Sequence, residues 1–478
     1  MNFLKDYKHY IITLVLGLAI KLFVQPVNGL TPVGVNVLAI FLPTLYLWVF
    51  VGTEWVSFLA IVGIIITGVL TQTEVFAQSF GHSVVPMIIS TMALNVCMTE
   101  TGVIQKVSTK FVTLKIVHNR PYMFIFMFNL ACLLLGFIVG AGALTIIFMA
   151  LAKNVCEDIG YKQGDPFYTC LMAGVMWQVA FTASATPIGK ALPLILMGAA
   201  KTSHGIEISF AQWMAVGIPF AFVAFLVSML VVIFVWRPDT SKYKNYDIEA
   251  VKQRSKPLST EGKITAAIFV VVVILWIFPD FFGALAPGFA AFLKSAGTVV
   301  PPVLAIALLC VIRINGKPIG DFTKMARSVP MGLIVFVACV CVLGNAVSSP
   351  KTGISEFLKN LLAPVTAGLP PIAIVAFAFL GSIILTNFIS NTVTMLLFYS
   401  IALSLLQGTT VSMPGLVIMI GLMSSVAFLT PAASVTTPIT FGTGDVTVAN
   451  TLKPNLVLIA AVFIATMVAV WPFIPMLL

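Results

Sequence analysis

Charged residues are scarce in this sequence of 478 residues: Asp, Glu, Lys and Arg make up only 9% of it, whereas soluble domains usually carry roughly a quarter. Hydrophobic residues make up 60%, and the mean hydropathy is +1.09. No soluble core could bury so much apolar surface. Apolar stretches of about 20 residues, the helix length that crosses a bilayer, recur from end to end. The composition therefore predicts an all-α polytopic membrane protein.

Acidic residues and histidines are nearly missing from the predicted spans. Proton pumps and cation carriers normally need carboxylates or histidines at membrane depth, so this absence disfavours cation transport. It also disfavours an intramembrane enzyme, because no constellation of His, Asp and Glu is present. The seven cysteines lie inside apolar segments without paired-ligand spacing, which disfavours disulfides and zinc sites. Sodium binding stays open, since carbonyl and hydroxyl oxygens alone can coordinate sodium.

The basic residues, which give a net charge of +10, are concentrated in a few loops. This is the pattern of the positive-inside rule and not of a nucleic-acid surface, so no nucleic-acid partner is expected. The stretch 237–263 holds seven Lys and Arg residues, and we expect it to be a solvated cytoplasmic linker between two membrane halves. The first apolar stretch, Tyr10–Val27, lacks a small-residue cleavage site and is interpreted as a retained helix with the N-terminus in the cytoplasm.

The sequence contains an internal repeat. Segment 101–120 carries four basic residues, whereas its counterpart 352–371 carries one, so the positive-inside rule places the two on opposite faces of the membrane. The repeats are therefore predicted to be inverted, an architecture common in transporters. Three motifs recur in one register, 251 residues apart: Thr101-Gly102 at Thr352-Gly353, Phe137-Ile138 at Phe388-Ile389, and Thr186-Pro187-Ile188 at Thr437-Pro438-Ile439 (352 − 101, 388 − 137, 437 − 186).

Each repeat contains an apolar run that is too long for one crossing and is interrupted by residues that weaken a helix. The interruptions lie at 139–143 and 386–394, and we expect each run to form a hairpin that enters and leaves on the same side. The next span of each repeat is broken at 182–189 and at 430–438, around the Thr-Pro pairs Thr186-Pro187 and Thr437-Pro438, because proline removes a backbone donor and frees carbonyls. One such pair would indicate only a kink, but equivalent pairs in both repeats favour a binding site.

The motif Ser390-Asn391-Thr392 at the second hairpin break resembles the Ser-Asn-Thr signature of the divalent-anion:sodium symporter family. The two Thr-Pro breaks also fit that family, and the resemblance runs from about Gln78 to the C-terminus. The first repeat departs from the pattern, because an offset of 251 places Val139, Gly140 and Ala141 where the signature would lie. The stretch Phe441-Gly442-Thr443-Gly444 is similar to a segment of the family's exchanger branch.

This resemblance implies a homodimer in which each protomer has a fixed scaffold domain and a mobile transport domain, with about 11 transmembrane helices plus two re-entrant hairpins. It implies that hairpin tips and Thr-Pro loops bind substrate carboxylates, with sodium beside each tip in the symporters. The predicted boundaries are N-terminal scaffold helices at 1–80, repeat 1 at 81–236, the linker at 237–263, scaffold helices at 264–324, and repeat 2 at 325–478. Within repeat 1, the hairpin is expected at about 121–155 and the broken helix at about 168–200. Within repeat 2, they are expected at about 371–406 and about 413–445.

Anion binding at the breaks needs hydrogen-bond donors, and helix N-termini, hydroxyls and an amide supply them. Asn391 can donate to a carboxylate oxygen while its own oxygen faces a cation, and a sodium ion near Asn391 and Ser390 stays open. Lys190 follows the first Thr-Pro break in an otherwise uncharged span; it either snorkels to the interface or acts as a fixed cation in place of sodium. The predicted substrate-binding residues are Ser390, Asn391, Thr392, Thr394, Gly140, Ala141, Gly142, Thr186, Pro187, Thr436, Thr437, Pro438 and Lys190.

These observations predict a secondary active transporter of dicarboxylates of the succinate, malate and 2-oxoglutarate class in the plasma (inner) membrane, moving by an elevator-type mechanism. The scarcity of acidic residues and the incomplete first signature favour sodium-independent exchange. Sodium-coupled symport of dicarboxylates or citrate stays open, whereas a sulfate transporter, a channel and an intramembrane enzyme are less favoured. No cofactor is expected apart from sodium, and the expected partners are dicarboxylate anions, the lipid bilayer and a second copy of the chain.

Overall fold

The chain is almost entirely helical in the computed structural model, which describes residues 3–246, 249, 257–354, 356–357, 360–361, 368–431, 433–434, 436–442 and 446–478. Within those residues, the strands are limited to an antiparallel pair, β1 (Arg313–Ile314) and β2 (Lys317–Pro318), with Arg313 opposite Pro318. The prediction of an all-α fold is confirmed.

The α-helices vary widely in length. In chain order, those with defined bounds are α1 (Phe3–Phe23), α2 (Pro32–Phe50), α3 (Glu54–Thr67), α4 (Gln72–Gln78), α5 (Val84–Glu100), α6 (Val103–Val112), α7 (Pro121–Gly136), α8 (Ala141–Ile159), α9 (Pro166–Thr182), α10 (Ala191–His204), α11 (Phe210–Val231), α12 (Thr260–Phe281), α13 (Pro287–Ala296), α14 (Val300–Val311), α15 (Phe322–Arg327), α16 (Met331–Ser348), α17 (Pro371–Thr386), α18 (Asn391–Leu406), α19 (Met413–Met423), α20 (Thr437–Gly442), α21 (Val448–Ala469) and α22 (Ile474–Leu477).

Continuous spans are the minority among the apolar helices. By length and composition, three described segments can cross a bilayer in one piece: Phe210–Trp236, Thr260–Phe281 and Val448–Leu477. Two bent pairs, α5 with α6 at 58° and α13 with α14 at 84°, would each add one span. The other apolar helices are shorter. Interrupted helices at membrane depth occur where the backbone is buried in protein or lines a cavity, so the breaks indicate where a site can form.

The two hairpins, α7–α8 and α17–α18, have corresponding bounds. Each first arm begins with a proline at its first turn, where the missing N–H has no intrahelical partner to lose. The start and end of the first arm and the start of the second arm differ by 250 residues (371 − 121, 386 − 136, 391 − 141). The N-caps of the second arms, Gly140 and Ser390, have nearly the same backbone angles: φ −59, ψ 134 and φ −51, ψ 129. The hairpins are therefore equivalent by geometry as well as by sequence.

The offset of 250 corrects the sequence alignment at the tips by one residue. Ser390, Asn391 and Thr392 correspond to Gly140, Ala141 and Gly142, and not to Val139, Gly140 and Ala141. The sequence alignment rested on matching Phe137 to Phe388, whereas the helix ends pair Phe137 with Asn387. The conclusion that the first tip lacks the Ser-Asn-Thr side chains is unaffected.

The second interrupted span of each repeat is α9–α10 or α19–α20. The first break covers 183–190 and the second covers 424–436, so the second break is the longer one. Ser412 caps α19 by accepting a hydrogen bond from the Gly415 N–H. Residues 443–445, which include part of the predicted exchanger-like stretch, lie outside the described residues.

The start of the predicted linker is packed and not solvated, which corrects that expectation. Tyr243 and Tyr246 are only 2% and 7% exposed, and their hydroxyls donate to the carbonyls of Val117 and Val112, each at 2.8 Å. The Val112 carbonyl lies at the end of α6, where no intrahelical donor is available, so Tyr246 satisfies it. The Val117 carbonyl accepts from both the Tyr243 hydroxyl and the Arg120 N–H, the latter at 3.1 Å. We call residues 239–246 the strap. Residues 247–248 and 250–256 of the linker lie outside the described residues.

A surface ion pair adds a second attachment of the strap. Lys242 of the strap contacts the Asp165 carboxylate at 3.0 Å, just ahead of α9. The backbone N–H of Lys162, followed by the Lys242 side chain, holds the pKa of Asp165 below its usual value. Because both side chains of this pair remain in partial contact with solvent, the pair adds less to stability than the buried tyrosines do.

Candidate functional site

Lys190 joins the first helix break to the tip of the second hairpin. It has an extended backbone (φ −150, ψ 151) just ahead of α10. Its Nζ donates to the Asn391 amide oxygen at 2.8 Å when that amide is oriented so that its nitrogen faces the Ala433 carbonyl and the Thr386 hydroxyl. Of the two roles left open for Lys190, this position agrees with a charge held inside the protein, because the ammonium contacts a hairpin tip.

The tip of the second hairpin presents a cluster of polar side chains. Asn391 is the first residue of α18 and is buried. In the same orientation its amide donates to the Thr386 hydroxyl at 3.0 Å, and Thr386 in turn donates to the Ser424 carbonyl at 2.5 Å. The buried hydroxyls of Thr394 and Ser424 have no hydrogen-bond partner among the described residues. Thr394 lies one turn after Asn391, and Ser424 is joined to Asn391 through Thr386, so both buried hydroxyls lie on the residues around this tip.

Asn387, which the sequence reasoning did not select, holds the second break against this tip. Its amide nitrogen donates to the carbonyls of Ile383 at 2.7 Å and Val426 at 2.9 Å. Its amide oxygen accepts from the backbone N–H groups of Phe428 at 2.9 Å and Leu429 at 2.7 Å. Asn387 lies in the same predicted helix break as Asn391, and that position is the signal by which the sequence could have identified it.

Two threonines fix the breaks to the hairpin tips in the same way. The Thr186 hydroxyl donates to the Phe137 carbonyl at 2.6 Å, and the Thr430 hydroxyl donates to the Asn387 carbonyl at 2.5 Å. Since Phe137 and Asn387 are equivalent, Thr430 and not Thr437 is the counterpart of Thr186 in this contact. Pro431 follows Thr430, so the Thr-Pro order is kept.

Thr437 has a different role from the one that the repeat alignment assigned to it. Its hydroxyl accepts from the Ser434 N–H and donates to the Pro431 carbonyl, both at 3.0 Å, inside its own loop. Thr436 likewise pairs with the Ser434 hydroxyl at 2.9 Å. The break contains two Thr-Pro pairs, and sequence identity alone selected the one that shapes the loop. The backbone of Pro438 belongs to α20.

The first hairpin tip offers backbone and no polar side chains. Gly140 caps α8, and no side-chain cap hydrogen bond forms there. A Cβ added at Gly140 or Gly142 would meet nothing within 4 Å. Open space therefore lies beside the start of α8, whose first backbone N–H groups have no acceptor within the helix.

The two repeats meet at a pair of equivalent serines. Ser184 and Ser425 each lie two residues beyond the end of a helix, α9 and α19. Their hydroxyls are 2.5 Å apart, and the Trp213 indole donates to the Ser184 carbonyl at 2.8 Å. A direct contact between equivalent residues is expected at the pseudo-two-fold axis of an inverted repeat.

A cavity of about 590 Å³ lies beside α8 and α9. Its lining includes Ile146, close to the first hairpin tip, and Lys153 and Lys162 towards the loop between α8 and α9. Ile439 of α20, the helix that follows the second break, belongs to the same lining. The cavity therefore extends along α8 and α9 to the loop between them.

An all-helical fold with paired hairpins and interrupted helices that converge on polar side chains defines a membrane transport protein. The sequence profile of the sodium:sulfate symporter transmembrane region matches residues 4–477, and the chain belongs to this family. The predicted kinship with divalent-anion:sodium symporters is confirmed.

Curated relatives cover most of the chain. The sodium-dependent dicarboxylate transporter SdcS of Staphylococcus saprophyticus is 23% identical over 482 residues, which cover 93% of this chain and 88% of the relative. The protein of the same name from Staphylococcus aureus strain USA300 is 24% identical over 447 residues, covering 87% and 81%. The family and these relatives are transporters, so the protein is a multi-pass membrane transporter and not an enzyme.

Solved transporter structures share the fold. The YdaH transporter of Alcanivorax borkumensis superposes with a TM-score of 0.56 at 13% identity and covers 84% of this chain and 88% of its own. MtrF of Neisseria gonorrhoeae, described as illuminating a class of antimetabolite efflux pumps, gives 0.55 at 14% identity with coverage of 85% and 84%. At such identities the likeness shows the fold alone.

Proposed function

We propose that this protein exchanges dicarboxylate anions across the plasma membrane, with Lys190 as a fixed cation in the binding site. The observation that carries the proposal is the 2.8 Å hydrogen bond from Lys190 to Asn391, which joins the first break to the second hairpin tip. The substrate class is supported by the relatives from Staphylococcus, which are named dicarboxylate transporters. Succinate, malate and 2-oxoglutarate represent that class.

The site chemistry suits a carboxylate. Lys190 contributes a charge-assisted hydrogen bond, and the amide of Asn391 can rotate to donate once the ammonium turns to the substrate. The unpartnered hydroxyls of Thr394 and Ser424 add neutral donors. A second carboxylate would meet the backbone N–H groups at the start of α8, where the helix dipole favours negative charge.

A fixed cation favours exchange over symport. Lys190 supplies within the chain the positive charge that a travelling sodium ion supplies in a symporter. Without substrate, the one partner of the ammonium among the described residues is an amide, and a poorly paired charge at membrane depth costs at least about 2.5 kcal/mol. The empty carrier should therefore reorient slowly, whereas the loaded carrier reorients readily.

Sodium-coupled symport is the second candidate. The free hydroxyls of Thr394 and Ser424 and the nearby carbonyls are oxygen ligands of the kind that sodium accepts. The relatives named as sodium-dependent make this coupling plausible.

An elevator-type movement fits the way the hairpins and breaks are joined. Contacts between the repeats, Lys190 with Asn391 and Ser184 with Ser425, connect them into one group. Trp177 of α9 also donates to Asn455 of α21 at 2.8 Å. We propose that this group moves as a unit within a homodimer whose N-termini lie in the cytoplasm. The cavity beside the α8–α9 loop would then open to the cytoplasm.

Uptake of labelled succinate into proteoliposomes tests the proposal. With unlabelled dicarboxylate inside, uptake should be fast with or without sodium, and empty vesicles should take up little. Strict sodium dependence into empty vesicles would contradict exchange and support symport. No uptake under any condition, with another anion transported instead, would contradict the substrate class.

A further inference from the structure

The side-chain amide of Asn387 bonds through both its nitrogen and its oxygen, mostly to backbone groups beyond the end of a helix. The side chain is only 1% exposed and makes four hydrogen bonds, three of them to the segment 426–429. Backbone groups at membrane depth need internal partners because no water or helix satisfies them there. The amide of Asn387 supplies those partners at the point where α19 has ended.

The hydrogen bonds continue from Asn387 to the proposed binding residues. The Thr430 hydroxyl donates to the Asn387 carbonyl, and the Thr430 carbonyl accepts from the Ala433 N–H at 3.1 Å. The Ala433 carbonyl accepts from the Asn391 amide, which orients the amide oxygen towards Lys190. A shift of the second break would therefore turn Asn391 away from Lys190.

In the first repeat, the residue at the equivalent position has no side-chain amide. Phe137 stands there, and its ring contacts Phe222. The first break is anchored to that tip by the hydrogen bond from Thr186 to the Phe137 carbonyl. The amide at 387 therefore compensates for the greater length of the second break.

We infer that Asn387 is a positioning residue for substrate binding: it fixes the second break against the hairpin tip so that Asn391 and Lys190 face the anion. This inference rests on the proposed dicarboxylate transport. It assigns Asn387 no contact with the substrate. Its loss should weaken binding through Asn391.

Transport by Asn387→Leu and Asn387→Asp tests this role. Asn387→Leu removes all four hydrogen bonds, and KM for succinate should rise about tenfold or more, because loss of a buried hydrogen bond is worth about that factor. In Asn387→Asp, a protonated carboxyl group can both accept and donate hydrogen bonds, as the amide does. The ratio of the variant's KM to the wild-type KM, both measured at the same pH, should therefore fall towards one as the pH is lowered. Ser382→Ala is the matched control, since Ser382 is buried on the same arm and bonds only within its helix.

Hydrogen exchange of the substrate-free protein in nanodiscs separates this inference from the proposed function. Amides in peptides covering 424–431 should exchange faster in Asn387→Leu than in wild type and Ser382→Ala. Unchanged exchange, or unchanged KM in both Asn387 variants, would overturn the inference. If hydrogen exchange is faster in Asn387→Leu but the wild-type protein does not transport dicarboxylates, the proposed function is overturned and the anchoring of the break by Asn387 is supported.

Discussion

At the residue scale, the contact between Lys190 and Asn391 links one repeat to the other. The ammonium has a partner that is neutral and can rotate, so the pair can open for an anion without separating two full charges. A carboxylate partner would compete with the substrate, whereas an amide does not. In the proposed site, the charge at position 190 thus remains available to the anion.

Lys190→Gln should nearly abolish exchange. It removes the fixed cation, and hydrogen bonds to charged groups are worth about 1.5–3 kcal/mol, which corresponds to about tenfold to a hundredfold in affinity. Labelled-succinate counterflow measures the effect. Lys201→Gln on α10, the helix that Lys190 precedes, is the control, because the Lys201 side chain is 63% exposed and pairs with Glu207. Full transport by Lys190→Gln would contradict the role of a fixed cation.

Thr430→Val should impair transport more than Thr437→Val. The first substitution removes the hydroxyl that holds the break to the hairpin tip, and the second affects only the loop. Thr186→Val should resemble Thr430→Val, because both threonines bond the same position of the two tips. Initial exchange rates of the three variants decide the ranking. A greater loss in Thr437→Val would restore the alignment of Thr437 with Thr186.

At the element scale, the strap closes the base of the first repeat. Its tyrosines satisfy carbonyls at the end of α6 and in the turn that leads to α7. The hairpin thus begins from a fixed point, whereas its tip consists of glycine and alanine. Side chains therefore hold the base of the first hairpin, whereas its tip offers backbone groups only.

Tyr246→Phe should lower stability while leaving the substrate KM unchanged. The variant strands the buried Val112 carbonyl without its donor, at a cost of about 1–3 kcal/mol. Thermal unfolding in detergent, followed by tryptophan fluorescence, measures the loss. Tyr122→Phe is a suitable control because Tyr122 is exposed. An unchanged melting temperature would show that the strap is not anchored by this bond.

Sequence patterns predicted the elements better than their partners. Pro121, Pro371 and the glycines at the tip mark the hairpins because these residues act locally on the backbone. The strap was missed because its tyrosines lie in a basic stretch, and charge does not reveal a buried ring. Asn387 and Thr430 were missed because their roles depend on hydrogen bonds to backbone groups about 40 residues away. Hydrophobic periodicity gives no information on contacts between such distant residues.

At the scale of the whole molecule, two inverted halves must present opposite hairpin entries. Lys115→Cys, ahead of the first hairpin, should react with an impermeant thiol reagent only from the cytoplasmic side. Leu369→Cys, ahead of the second, should react only from outside. Both positions are exposed, so accessibility reports on sidedness. Labelling of both from one side would contradict the inverted arrangement, and the wild type measures the background from native cysteines.

The touching hydroxyls of Ser184 and Ser425 have a consequence for direction. Exchanging the two repeats leaves this pair of hydroxyls unchanged, so the pair itself does not distinguish the inside from the outside. Any preferred direction of transport must then come from the parts in which the repeats differ, the tips and the breaks, and under the proposed exchange the anion gradients decide on which side a substrate accumulates.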